Sequence, residues 1–528
     1  MRSKSSFLRW FAGVALTIVA SLFILSFFLD SIIRARIEHS MNAKLRGYHT
    51  ALAGAHLQLL DGTLTLNELI VIQNAHPAPP VADIHALRVG IEWHELLFGS
   101  VVADALVTRP RLHIDLIQLR AERANKVPLR KEGWQQAVEG IYPFRLNRLR
   151  IIDGSAVYVD ADPKRPLELT DLRLTALNIR NIQAPKNPYP SPIQANAAVN
   201  GTGRVTIDGN ANFLSQPTPG LRVRYWAERL SLAPFEPEAG KANVNLKGGV
   251  MQGDGALEYA PGIARLELYD ASIDGLKLEY VHTAATAEAE RRRVQEVKAG
   301  VHKVNNRRGL LLKIDDLRLT NSDLGFNNTA RPPSYALYFS AVSASLRNLS
   351  NHFSEGNATL AAQGLFMADG PASIDATFRP EINGPDFTLY LAIQKTDLTR
   401  LNPLLTAYGR FDVAAGTFML FTQMSVKDGA IKGYVKPMFG NMEVYSLKKD
   451  SGKPLLHQAY EVAIGTASKL LTNHSTEKVA TEVNISGSLQ RPNMSTWQAL
   501  GELIHNAFVS AILPGFDREA ARARQPGG

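Results

Sequence analysis

Cysteine is absent from all 528 residues, and that one absence removes disulfides, thiolate nucleophiles, iron–sulfur clusters and cysteine zinc sites together. The fold must hold by burial alone. A thiol-free chain suits an oxidising periplasm, although cytosolic proteins also lack cysteine. Charge is scarce too, at 20% of residues. The net charge of +9 is spread along the chain, not gathered on one basic face with stacking aromatics, which argues against nucleic-acid binding. Catalytic constellations are missing as well. His94 and Glu95 begin like a zinc helix, but Phe98 stands where the second histidine belongs. Ser446 and Lys449 have S-x-x-K spacing in a polar turn stretch with no companion motif. Neither G-x-S-x-G nor a phosphate-binding glycine loop occurs, and TGRV at Thr202 and GGVMQGDG at Gly248 read as strand turns. No catalytic residue, metal or cofactor is expected, and the chain does not read as an enzyme.

What is present is apolar material, 45% of the residues, with Gly 39 and Pro 28 to make turns. That balance favours strands over helical bundles. From Trp10 to Leu29 no residue is charged, and Arg9 and Asp30 bound the run. At about 1.5 Å per residue it spans the hydrocarbon of a bilayer, so residues 10–29 are expected to be a transmembrane helix. A cleaved signal peptide is the rival reading, but the run is long and lacks a clear small-x-small cleavage site. Arg2, Lys4 and Arg9 precede the span while Arg34, Arg36, Lys44 and Arg46 follow it, so counting positive charge does not fix the orientation. The short tail, residues 1–9, makes a cytoplasmic N-terminus with an exported body the easier topology.

Beyond a short helical stretch ending near Arg46, period-two patterns dominate. Leu87, Val89, Ile91 and Trp93 fall on one face against Arg88, Gly90 and Glu92, and Leu112, Ile114 and Leu116 against His113 and Asp115. Later runs alternate likewise: Leu221, Val223 and Tyr225; Leu266 and Leu268; Leu276, Leu278 and Tyr280; Phe387, Leu389, Leu391 and Ile393. There is an internal echo. LRIIDGSAVYVD from Leu149 aligns without gaps to LRLTNSDLGFNN from Leu317, and IRNI from Ile179 then aligns to LRNL from Leu346; GTLTLNELIVIQN from Gly62 is a weaker copy. Helix is expected at 284–304 and at 497–513, where Trp497, Leu500, Ile504 and Phe508 recur at helical spacing before Pro514, as a cap on the sheet or a docking helix. Residues 517–528 read as a disordered tail.

In the C-terminal third, YGRFDVAAGTF from Tyr408, VKDGAIKGYVKP from Val426 and NAFVSAILPGFD from Asn506 occur in order. With GTLTLNELIVIQN and IHALRVGIEWHELLFGSVVADALVTRPRLHI near the start, they resemble a bacterial envelope family, the domain of unknown function 748 family, related to AsmA-like proteins. The resemblance implies a mainly β fold: an N-terminal transmembrane helix, then an extended, twisted, repeat-built antiparallel sheet curled into a groove, with a few helices including a C-terminal amphipathic one. It divides the chain into a β-rich periplasmic body at 30–395 and a signature region with capping helices at 396–516. Roughly two dozen strands at about 4.8 Å would make a groove on the order of 100 Å long. Its apolar lining would hold the acyl chains of phospholipid, at about 0.8 kcal/mol per buried methylene, for lipid transport or outer-membrane maintenance. Expected lining residues are Leu87, Val89, Ile91, Val223, Leu266, Leu276, Leu278, Leu389 and Leu391. Lys427, Lys432 and Lys436 would meet lipid phosphates at a groove mouth, or else lie on a solvated hairpin turning at Asp428 and Gly429. Asp412 and Glu461 are expected in structural salt bridges. Partners would be phospholipid, the inner membrane and envelope proteins, with no nucleic acid. The alternative is an envelope scaffold or assembly factor that binds proteins through sheet edges.

Overall fold

The computed structural model describes residues 29–91, 102–115, 145–179, 188–286, 307–444, 478–480 and 483–488, less positions 44, 46, 59, 60, 75, 161, 214, 216–218, 308, 331, 382, 383, 410 and 429. The chain is mainly β, with few helices, and the 22 strands among the described residues belong to one large mixed sheet that is not closed. Two compact units divide it: the described residues up to Leu230 with Ala256–Ala264, and Ser231–Gly255 with the residues from Arg265 onward. That division falls inside the stretch read as a single body. Among the described residues no helix is long and apolar enough to cross a membrane. The expected anchor, apart from its last residue, lies outside the described residues. So do the helix expected at 497–513 and, beyond a turn at 284–286, the one expected at 284–304.

The first unit opens with helix α1 (residues 29–43). Nine strands follow: β1 (Tyr48–Gln58), β2 (Thr63–Gln73), β3 (Ala82–Ile91), β4 (Val102–Asp115), β5 (Arg145–Val159), β6 (Leu167–Ile179), β7 (Ser191–Val199), β8 (Gly203–Asn212) and β9 (Gly220–Ser231). Each pairs with the next, antiparallel except β4 with β5, which run parallel. The expectation of a purely antiparallel sheet is thereby corrected. A parallel pair cannot be joined by a tight turn, and residues 116–144 separate β4 from β5. Ile33, Ile37 and Met41, one helical turn apart, set the apolar stripe of α1 on Leu52, Ala55, Leu66 and Leu69 of β1 and β2. Polar contacts pin both ends of the helix. Asp30 accepts from the Leu57 N–H at 3.0 Å and meets His56 at 2.7 Å. The Asn42 amide oxygen accepts both the N–H and the hydroxyl of the fully buried Thr50, while its NH₂ donates to the Thr50 carbonyl.

The second unit carries helix α2 (Glu236–Gly240) and β10 (Val244–Leu246), parts of β11 (Val250–Ala260) and β12 (Ile263–Asp274), and then β13 (Lys277–His282), β14 (Leu310–Asn328), β15 (Tyr335–Ser350), β16 (Ala358–Phe366), β17 (Gly370–Glu381) and β18 (Gly384–Asp397). Helix α3 (Asn402–Gly409), β19 (Ala415–Lys427), β20 (Ala430–Glu443), β21 (Lys478–Ala480) and β22 (Val483–Ser488) complete it. Strands β13 and β14 are parallel, as β4 and β5 are.

The echo seen in the sequence extends to the hydrogen-bond register. Leu149, Ile151, Gly154 and Ala156 of β5 pair with Ala176, Leu174, Leu172 and Leu169 of β6. Leu317, Leu319, Ser322 and Leu324 of β14 pair with Leu346, Ala344, Val342 and Phe339 of β15, a constant offset in each strand. Both pairs carry the same two compensating bulges. The left-handed residues coincide as well: Asp153 with Asn321, Asp171 with Ala341, Asn178 with Asn348. Strands β4–β9 thus correspond in order and register to β13–β18: Leu112 opposite Ala156 answers to Leu278 opposite Leu324, and Gly209 opposite Val223 to Ala376 opposite Leu389. One detail of the sequence alignment changes. Ile179 pairs with Leu146 as Leu349 does with Ile314, so Ile179 corresponds to Leu349, three residues beyond Leu346.

Candidate functional site

Residues directly paired across strands present their side chains on one face. Following such pairs through the first unit traces two apolar rows. One runs Ala55, Leu66, Leu87, Val107, Ile151, Leu174, Ala195, Ile207 and Tyr225. Its neighbour runs Leu57, Leu64, Val89, Ala105, Leu149, Ala176, Ile193, Gly209 and Val223. Nine strands contribute without a break and without a charge. At about 4.8 Å per strand the rows are about 38 Å long.

Strict alternation would carry this face no further than a few residues along each strand, because the apolar pattern slips phase. In β2 the burial reads Leu66 buried, Asn67 and Glu68 exposed, Leu69 buried. At the same level Glu68, Arg109, Asp153 and Asp171 all adopt positive φ. A left-handed residue in each of these strands rotates the following side chains by half a period, so apolar residues beyond the slip return to the same side. Strands β5 and β6 bulge reciprocally and recover register. On the far side of the slip the face continues through Ala82, Leu112, Ala156, Leu169 and Val199.

The face is covered at its start and less so beyond. Leu87 packs with the cluster under α1, and Val223 is buried with Ile193 and Ala211. By contrast Leu112 is 40% and Leu169 38% exposed. In the second unit a corresponding row runs Leu317, Leu346, Leu360, Ala376, Leu389, Met424, Gly433 and Ile485. Leu391 lies in the adjacent row, between Ile374 and Thr422, and Leu278 lies between Leu246 and Leu324. Here Leu398, Leu401 and Leu405, on the 3-10 turn Leu398–Leu401 and α3, are sealed into the largest apolar cluster with Phe366, Phe411 and Phe418. The equivalent turn in front of α2, Ala233–Phe235, buries none of its residues. Of the other expected lining residues, Leu276 is partly buried just before β13 and Leu266 is among the exposed leucines. Ile91 ends β3 opposite Ala103, and its side chain lies outside the described ones.

The three lysines fall elsewhere. Met424, Val426, Ile431 and Val435 face the apolar cluster of the β19–β20 hairpin, so Lys427, Lys432 and Lys436 project from the opposite face. Alternation puts a backbone layer between these side chains and that cluster. Asp428, with positive φ, donates its N–H to Asp386. Glu461, His94, Glu95, Ser446 and Lys449 lie outside the described residues. Among the described residues no three His, Asp or Glu side chains come together as a metal site. Sequence reasoning missed the left-handed positions Glu68, Arg109, Asp153 and Asp171; the signal available was the spacing apolar-x-x-apolar from Leu66 to Leu69 and from Leu169 to Leu172. No protein-family model matches the chain, and no curated protein is significantly similar to it in sequence.

Proposed function

We propose that this chain is an AsmA-like envelope protein, tethered to a bacterial inner membrane by residues 10–29 with its body in the periplasm, whose apolar sheet face binds phospholipid acyl chains. The observation that carries the reading is the pair of uncharged rows kept in phase across β1–β9. A face meant for water carries polar and charged side chains, whereas these rows carry no charge, and Leu112 and Leu169 farther along the same face remain open to solvent. Burial at about 0.8 kcal/mol per methylene holds an acyl chain there, and a lining without polar anchors leaves it free to slide. In this reading the curled groove and the C-terminal amphipathic helix complete the site, and the protein moves or stores lipid without performing a reaction.

Full-length protein purified in mild detergent and extracted for lipid mass spectrometry tests the reading. Phospholipid retained at a fixed molar ratio through repeated detergent exchange is expected. A lipid-free protein of unchanged stability would favour the scaffold that binds proteins through its strand edges.

A further inference from the structure

Helix α1 starts where the long apolar run stops: Leu29 closes the uncharged stretch 10–29 and is the first residue of α1. The helix is clamped to the sheet from its first turn. Asp30 holds His56 and the Leu57 N–H, Arg34 donates to the Leu52 carbonyl at 3.2 Å, and Asn42 grips Thr50. Helix α1 therefore runs antiparallel to β1. From Asp30 to Asn42 the helix advances about 18 Å, and from Leu57 back to Thr50 the strand covers about 23 Å, so the two lie side by side. Past Leu57 the chain goes on to Gln58 and the turn at Asp61, level with the end of the apolar run. On the helix itself Ile32, 62% exposed, looks away from the sheet-facing stripe of Ile33, Ile37 and Met41, and the exposed Arg36 follows one turn later. The two joins nearest α1 at this end, 59–62 and 92–101, read LLDG and EWHELLFGSV in the sequence; those at the other end, 74–81 and 160–166, read NAHPAPPV and DADPKRP.

We infer that the end of the first unit bearing the β1–β2 turn rests on the surface of the lipid bilayer, with Ile32 in the headgroup layer and Arg36 at its outer edge. This surface depends on the tether proposed above. The headgroup layer is about 5–7 Å deep on each side, and Ile32 lies about 4.5 Å along the helix from Leu29. Arg36, about 10 Å along, reaches back to lipid phosphates while its apolar stem lies along the layer. Apolar joins belong at the same level, and the tryptophan in one of them, Trp93, is of the type enriched where hydrocarbon meets water. Asp30, the first residue after the run, is already clamped, so no free linker separates anchor from sheet. The first strands therefore stand at a fixed height on the membrane and do not swing.

The chain has no cysteine, so single introduced cysteines report position directly. Ile32→Cys, Asp61→Cys and, at the opposite end in the β7–β8 turn, Thr202→Cys each take an environment-sensitive fluorophore. The full chain is then reconstituted into phosphatidylcholine–phosphatidylglycerol vesicles containing lipid with a nitroxide at the headgroup. Strong quenching at 32 and 61 and none at 202 is expected, in protein that floats with the vesicles and resists carbonate extraction. Floating protein left unquenched at 32 or at 61, or quenched equally at 202, would overturn the inference while the tether stands. Protein that does not float overturns the tether and this inference with it, and the uptake of acyl chains by the apolar rows is read separately by lipid extraction.

Discussion

Single residues decide whether neighbouring strands can approach along the apolar rows. A Cβ added at Gly433 would lie 2.2 Å from the Gln423 carbonyl oxygen and 2.8 Å from the Met424 Cα. Both obstacles are backbone, so neither can step aside. Gly433→Ala is expected to cost about 1–3 kcal/mol, as overpacking does, read as a lower urea midpoint. Asp274 makes a second case. The Thr320 hydroxyl at 2.6 Å and the Asn321 amide at 2.9 Å hold its carboxyl below the ordinary aspartate range. A depressed folded pKa means the ion favours the fold above the unfolded pKa, and that contribution fades as pH falls through the folded one. An NMR titration of Asp274 should show the low midpoint, and Asn321→Ala should raise it. Asn321 is also the left-handed residue of the β14 bulge. In sequence it looks like a turn former, because asparagine and aspartate tolerate positive φ, and nothing local says that the strand continues through it.

Elements were legible to the degree that their partners are local. Alternation at Leu87 and Val89, or at Leu389 and Leu391, marks a strand and its apolar side, and the structure puts Leu87 and Val89 in adjacent rows of one face. The direction of pairing was not legible. Whether β5 lies parallel or antiparallel to β4 depends on a connection of many residues, not on the pattern within either strand. Phase slips were hidden for the same reason, since an apolar-x-x-apolar spacing mimics a helical turn. Deleting Asp171 should expose their importance. The change turns Leu172, Leu174 and Ala176 to the polar face, at about 1.5–3 kcal/mol for each large side chain, and the expected result is insoluble or unfolded protein. Deletion of an exposed turn residue, Gly201, serves as the control. For α1, Asn42→Ala leaves the buried Thr50 N–H unpaired and should cost about 1–3 kcal/mol, measured as faster hydrogen exchange of β1 amides near Thr50. Unchanged exchange would mean that the helix is not held there.

At the scale of the molecule, repetition explains how so large a sheet is specified. Strands β4–β9 and β13–β18 use the same registers, bulges and parallel step, so one solution to keeping an apolar face in phase is used twice. The second use is followed by the cluster of Leu398, Leu401 and Leu405. The central claim is that one face, and not simply any exposed leucine, meets lipid. Leu169 and Leu177 sit on the same strand, 38% and 39% exposed, and face opposite sides: Leu169 pairs with Ala156 in the apolar rows, whereas Leu177 pairs with Arg148. A photoreactive amino acid placed at each position in turn, in cells fed radiolabelled phospholipid precursor, compares the two faces directly. Lipid crosslinked at 169 and absent at 177 is the predicted result; equal labelling at both, or none at 169, would contradict the account.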